Sequence, residues 1–126
     1  MEKIELKTSN APAAIGPYSQ GIRANGFVFV SGQIPIDPAT GAFAGDDIVS
    51  QTHQCLKNVR EILRQAGADM ESVVRADVYL KHISDFAAMN EVYAQYFDGV
   101  CPARAAVQVA AIPRDALVEI GVIAAL

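Results

Sequence analysis

The sequence predicts one domain built from interleaved helices and strands, with helices on only one face of its sheet. The 126 residues are enough for a single hydrophobic core. Two segments show helical periodicity, and five have strand character. Two helices with one apolar face each cannot cover both faces of a sheet of five or six strands. We therefore expect one sheet face to remain for another surface.

The two helices are predicted from apolar residues that recur at helical spacing. The first begins at Asp46 or Asp47 and ends near Gly67, with acidic residues at its start and a glycine placed to end it. The second covers about 84–97 and carries an aromatic stripe. The strands are predicted at 3–6, 27–32, 73–80, 103–110 and 117–124.

The last predicted strand is apolar on both of its faces. Val118, Ile120 and Val122 alternate with Leu117 and Ile123, so a monomer would expose one apolar side. Contiguous exposed apolar area usually marks an interface. We expect a homo-oligomer in which the free sheet face is buried between subunits.

Composition excludes several classes of function. The net charge of −4, the pI near 5.0 and the absence of a Lys/Arg cluster disfavour binding to nucleic acid. No segment has the ~18 uninterrupted apolar residues of a membrane span, and the first residues lack a signal-peptide core. We expect a cytoplasmic protein.

The cysteines and histidines predict no metal site. Cys55 and Cys101 lack Cys-x-x-Cys spacing, which favours two reduced thiols. His53 and His82 have no partner at ligand spacing and no surrounding triad pattern. The glycine-rich GxGxxG and Walker nucleotide-binding motifs are also missing.

Two isolated charges in apolar strands are the first candidates for a functional site. Arg104 shares its strand face with small or uncharged residues, and Glu119 is the only charged group in its own apolar strand. A short loop separates the two strands, so antiparallel pairing would bring Arg104 near Glu119. The spacing is compatible with a structural ion pair, or with an arginine whose planar fork binds the carboxylate of a substrate.

Loop-like breaks at strand ends supply further candidates. Tyr18 follows a Gly-Pro turn, and Ser31 and Gly32 end a strand shortly before a proline. Asn90 lies beside the apolar stripe of the second helix. Each of these features taken alone is typical of turn or surface chemistry.

Six stretches occur in order along nearly the whole chain: NAPAAIGPYSQG, FVFVSGQIPIDPATG, QCLKNVREIL, DFAAMNEVYAQYF, PARAAVQVA and VEIGVIA. Together they resemble the successive signatures of the Rid family, the reactive-intermediate deaminases. The strongest likeness is to the branch of 2-iminobutanoate/2-iminopropanoate deaminases.

The resemblance implies a chorismate-mutase-like α+β domain over residues 1–126. Such a domain has a mixed β-sheet with two helices on one face and assembles as a homotrimer with sites between subunits. It also implies hydrolysis of 2-imino and enamine acids to 2-keto acids and ammonia, without a cofactor or metal.

The resemblance also implies roles for particular residues. Arg104, in the PAR motif, would bind the substrate carboxylate, while Glu119, aided by Tyr18, would hold or deprotonate the attacking water. The residues implied to line the cleft are Ser31, Gly32, Asn90 and Ala106. Many relatives have cysteine where this chain has Ala106, so any role of that thiol is in doubt here. Gly121 replaces a second acid that relatives often carry, which leaves Glu119 as the only carboxylate of the last strand.

Other functions remain open for a chain of this family. Some relatives lack deaminase activity, and others are described as ribonucleases or holdase chaperones. A ribonuclease should offer a basic groove, which the acidic composition disfavours. A non-catalytic regulator binding a small ligand would keep Arg104 but lose the water-handling groups, so Tyr18 and Glu119 together favour an enzyme.

Overall fold

A computed structural model describes the chain from Met1 to Leu126. Its elements in chain order are β1 (Ile4–Leu6), β2 (Gly21–Ala24), β3 (Phe27–Gln33), α1 (Ile48–Gln65), β4 (Val73–Leu80), α2 (Phe86–Ala94), β5 (Ala103–Gln108) and β6 (Val118–Ala125). Three 3₁₀ turns occupy Met70–Ser72, Ile83–Asp85 and Pro113–Asp115. The fold is α+β, as the family resemblance implied.

All six strands form one mixed sheet in the order β1-β2-β3-β6-β4-β5. Every neighbouring pair is antiparallel except β4 and β5, which run parallel. β2 was not among the strands predicted from the sequence. Its hairpin with β3 turns at Asn25 and Gly26, which both have positive φ, and this Asn-Gly pair is a strong short-range hairpin signal.

The predicted pairing of the last two strands is wrong. β4 lies between β5 and β6, pairing in parallel with one and antiparallel with the other. The loop between β5 and β6 is short, but a parallel neighbour for β5 arises through the α2 crossover from β4. β5 also ends at Gln108 rather than at Ala110. The Gln108 side chain accepts a hydrogen bond from the Ile83 amide at 2.8 Å.

α1 matches its predicted position and caps. Asp47 is the N-cap and accepts a hydrogen bond from the Ser50 amide at 2.8 Å, while Gly67 has a φ of 76° just beyond the last turn. Its buried side supplies Cys55, Leu56, Val59, Ile62 and Leu63 to the core. That core is one cluster of 23 buried residues shared by the sheet and both helices.

α2 is shorter than predicted. The predicted first turn is a 3₁₀ turn over Ile83–Asp85, and the end tightens through i→i−3 bonds from Gln95 to Val92 and from Tyr96 to Tyr93. Neither helix of the fold is long and apolar enough to cross a membrane.

Both helices pack on the same face of the sheet, so the other face is uncovered, as predicted. We call it the open face; it carries Phe27, Phe29, Tyr79, Val107 and Ile123. Phe27, Phe29 and Val107 are 42, 43 and 46% exposed. Burial of this face between copies of the chain stays a prediction.

Candidate active site

The guanidinium of Arg104 is held by α2. Its Nη1 donates a hydrogen bond to Asn90 Oδ1 at 2.6 Å. Its central carbon lies 4.7 Å from the ring centre of Tyr93 and 5.4 Å from that of Phe86. We call these four residues the arginine group. The spacing 86, 90, 93 puts all three α2 residues on one helix face above β5.

No carboxylate pairs with Arg104. None of the five ion pairs of the chain includes it, and its only hydrogen-bond partner is a neutral amide. Arginine has five N–H donors, so most of them are free for a ligand. Tyr93 is buried with no partner for its hydroxyl, and burial raises its pKa although the nearby Arg104 cation opposes the shift. The phenol is therefore neutral at physiological pH.

Glu119 lies on the opposite, open face of the sheet. It is half-buried, and burial raises the pKa of its carboxyl without an opposing hydrogen bond or cation. A raised pKa brings a carboxylate closer to the range useful for general base catalysis.

Gly32 makes room for the Glu119 side chain. A Cβ at residue 32 would lie only 3.0 Å from the Glu119 Cδ and still closer to a carboxylate oxygen. The β3–β6 register shifts between Val30 and Gln33, and such a bulge re-aims the strand locally. The glycine is needed here for space rather than for its backbone conformation.

Tyr18 lies in the loop that precedes β2. It is 53% exposed, and its Oη accepts a hydrogen bond from the Ile15 amide at 3.4 Å, which leaves the phenolic proton free. Tyr18 and Gly32 line a cavity of about 190 Å³. Ser31 ties the Tyr18 loop to β3, since its Oγ donates to the Ser19 carbonyl at 2.6 Å. We call the set of four residues Tyr18, Ser31, Gly32 and Glu119 the carboxylate group, after the carboxylate of Glu119.

Sequence analysis missed Gln20, which supports this loop. Gln20 is 3% exposed, and its amide nitrogen donates to the carbonyls of Thr8, Ala11 and Pro12 at 3.0, 3.2 and 2.7 Å. Its backbone carbonyl accepts from the Ser31 amide. One glutamine among small loop residues gives no sequence signal for such a role.

The predicted site residues form two separate groups within one chain. Arg104 and Ala106 face the helices, with Arg104 paired to Ala76 in β4. Glu119 of β6 and Val107 of β5 both pair with Tyr79 of β4, and Val107 is three residues from Arg104 along β5. With strands about 4.8 Å apart and about 3.3 Å per residue, the Cα atoms of Arg104 and Glu119 lie ~10 Å apart sideways and ~10 Å along the strands. The predicted proximity of these two residues within the chain is therefore wrong.

The chain and its fold have counterparts among known proteins. A family model described as Endoribonuclease L-PSP matches residues 8–126. A RutC family protein of Pyrococcus horikoshii is 54% identical over 117 residues, 93% of each chain. The 2-iminobutanoate/2-iminopropanoate deaminase of Mus musculus is 47% identical over 119 residues, 94% of this chain and 88% of its own.

Among solved structures, Escherichia coli TdcF with bound serine superposes with a TM-score of 0.94 at 40% identity, covering 98% of each chain. This solved structure shares the fold of the chain. The chain belongs to the Rid family, also called the YjgF family, among whose members are proteins named as imine deaminases.

Proposed function

We propose that this protein hydrolyses 2-imino acids, such as 2-iminobutanoate and 2-iminopropanoate, to 2-keto acids and ammonia. The observation that carries the proposal is the state of Arg104, which α2 holds in place without any carboxylate partner. A planar cation with free, fixed donors is suited to bidentate binding of a small carboxylate.

The complete site requires a second copy of the chain. The arginine group and the carboxylate group lie on opposite faces of one sheet, so a small substrate cannot touch both within one chain. The open face carries exposed apolar side chains that a partner would bury, and a copy packed there can bring its arginine group to the first chain's carboxylate group. The assembly proposed is a homotrimer of 126-residue domains, with one site at each of three equivalent interfaces.

Arg104 contributes orientation. Its guanidinium fixes the substrate carboxylate, and Asn90 together with the two rings fixes the guanidinium. The neighbouring imine carbon is then placed before the attacking water. Ala106, two residues along the same strand face, leaves space beside the bound carboxylate.

Glu119 and Tyr18 handle the protons. An enamine first tautomerises to the protonated imine, whose carbon is electrophilic without help from a cofactor. Glu119 takes a proton from the water as its oxygen bonds to that carbon, which gives a carbinolamine. Glu119 passes this proton to nitrogen, the C–N bond breaks with its electron pair leaving on ammonia, and the new hydroxyl becomes the ketone carbonyl as it returns its own proton to Glu119. The free proton of Tyr18 donates a hydrogen bond to the substrate.

The relatives support this class of substrate. The mouse protein is named for the two imines proposed here, and the E. coli structure holds serine, an acid with a carboxylate next to a nitrogen-bearing carbon. The description of the matching family, Endoribonuclease L-PSP, suggests RNA cleavage instead. The net charge of −4 gives little attraction for a phosphate backbone.

A coupled assay tests the proposal. Threonine dehydratase and threonine generate the imine, and semicarbazide competes for whatever is free in solution. The protein should shorten the life of the imine and lower the yield of semicarbazone, while Arg104→Ala should have no effect at equal concentration. An unchanged semicarbazone yield with the wild-type protein would leave a binding or chaperone role, and RNA cleavage under the same conditions would favour a ribonuclease.

A further inference from the structure

A single cation lines the cavity next to the carboxylate group, and neither the fold nor the proposed hydrolysis accounts for it. The cavity walls are mainly apolar, with Ile15, Ile34 and Ile36 among them. Arg114 is the only charged residue of the lining. Tyr18 and Gly32 belong both to this lining and to the carboxylate group.

Arg114 is held in a costly backbone conformation. Arg114 and Asp115 have φ angles of 57° and 58°, and left-handed conformations are unfavourable for side chains other than glycine. Lys81 fixes this turn, since its Nζ lies 2.8 Å from the Asp115 carboxylate and its amide bonds to the Leu117 carbonyl. Such strain persists where the surroundings impose it and is common at ligand sites.

The Arg114 guanidinium has no anionic partner. Its neighbour Asp115 is engaged by Lys81, and no ion pair of the chain includes Arg114. It lies 5.4 Å over the ring centre of Phe43, which limits where the head group can move. Its donors remain free.

The two glutamines of the lining are already hydrogen-bonded. The Gln20 amide makes four hydrogen bonds to backbone groups, and the Gln33 amide nitrogen donates to the Ser31 carbonyl at 3.0 Å. A ligand in the cavity therefore meets apolar walls, one phenol and one free guanidinium.

We propose that this cavity receives the side chain of the imino acid and that Arg114 is a specificity-determining residue favouring side chains that end in a carboxylate. The preferred substrates would be 2-imino dicarboxylic acids, in which an apolar stem passes the isoleucines and the distal carboxylate binds Arg114. The inference rests on the proposed function for the orientation of the substrate. It extends that function by naming a second anion contact at the other end of the ligand.

The experiment compares two probes of similar size that differ in one charge. Calorimetry measures binding of 2-oxoglutarate and of 4-methyl-2-oxopentanoate. The coupled assay measures hydrolysis of the imines that L-amino-acid oxidases release from glutamate and from leucine. The variants are Arg114→Gly, which accepts a positive φ, and Arg114→Lys, which keeps the charge. Ratios between probes cancel any general loss of folded protein.

The wild type should favour the dicarboxylate, and Arg114→Gly should reduce that preference by about tenfold, the effect of one charge-assisted hydrogen bond. Arg114→Lys should retain most of the preference. Equal ratios in the wild type and Arg114→Gly would overturn the inference, as would the same loss in Arg114→Lys. If no imine is hydrolysed but the ratio of the two binding constants still depends on Arg114, only the proposed imine reaction is refuted. Hydrolysis with ratios independent of Arg114 would refute only the specificity role.

Discussion

Arg104 and Glu119, the two charged side chains of the predicted site, lie on opposite faces of one sheet with β4 between their strands. Arg104 faces α2, and Glu119 faces the uncovered side. This separation explains why the two charges do not pair with each other within the chain. It also makes a second copy necessary for any site that uses both.

Replacement of Arg104 tests whether imine hydrolysis needs a guanidinium that binds a carboxylate bidentately. Arg104→Lys keeps the positive charge but cannot bind a carboxylate bidentately, so kcat/KM for imine hydrolysis should fall by about 10²-fold or more. Light scattering and thermal melting should show an assembled, folded protein, since the arginine pairs only with a neutral amide and two rings. A Lys variant with wild-type activity would remove Arg104 from the proposed role.

Glu119→Gln separates a catalytic carboxylate from a structural ion pair. Burial raises the folded-state pKa of Glu119, so ionisation of Glu119 destabilises the fold above the ordinary glutamate pKa. Glutamine at this position does not ionise, so it causes no such loss of stability. The variant should lose activity yet melt at a higher temperature near neutral pH, and this gain should vanish below the ordinary glutamate pKa, where the side chain at position 119 is uncharged in both proteins. A lower melting temperature at neutral pH would indicate an ion pair that stabilises the assembly.

Gly32→Ala tests the contact between β3 and Glu119. The new methyl group would meet the Glu119 carboxyl, so the side chain must move and activity should drop sharply. A Glu119→Ala background provides the control, because it removes the obstacle. Gly32→Ala should lower the melting temperature in the wild type and change it little in that background. Equal costs in both backgrounds would show that Gly32 is needed for another reason.

Assembly is tested by a matched pair of variants, one on the open face and one on α1. Val107 is 46% exposed on the open face, and Val49 is 44% exposed on α1. Val107→Asp should weaken the trimer and the activity together, whereas Val49→Asp should change neither. Light scattering at micromolar concentration gives the assembly state. A trimer unaffected by Val107→Asp would place the interface elsewhere.

The elements with strong local signals could be predicted from sequence. α1 has regular apolar spacing and an aspartate cap, and β4 was predicted with its observed bounds. β2 is only four residues long, with no alternating pattern to mark it. The position of β4 between β5 and β6 depends on a parallel pairing across α2, and chain order alone favours the nearer strand.

The candidate site was predictable as a set of residue types but not as a geometry. Arg104 and Glu119 are conspicuous as lone charges in apolar strands. The aromatic contacts of Arg104 depend on how α2 crosses β5, and the space for Glu119 depends on the bulge at Gly32. Arg114 gives no signal in the sequence, because its strained turn and its place in the cavity exist only in the folded chain.

Mixed assemblies of two inactive variants test the central claim most directly. Arg104→Ala and Glu119→Gln should each be inactive alone. After denaturation and refolding together at equal concentration, a site that takes Arg104 from one chain and Glu119 from another is intact in about one quarter of cases, so about a quarter of wild-type activity should return. Refolding each variant alone is the control. Recovery near this value supports a site shared between copies, and no recovery from demonstrably mixed assemblies would contradict it.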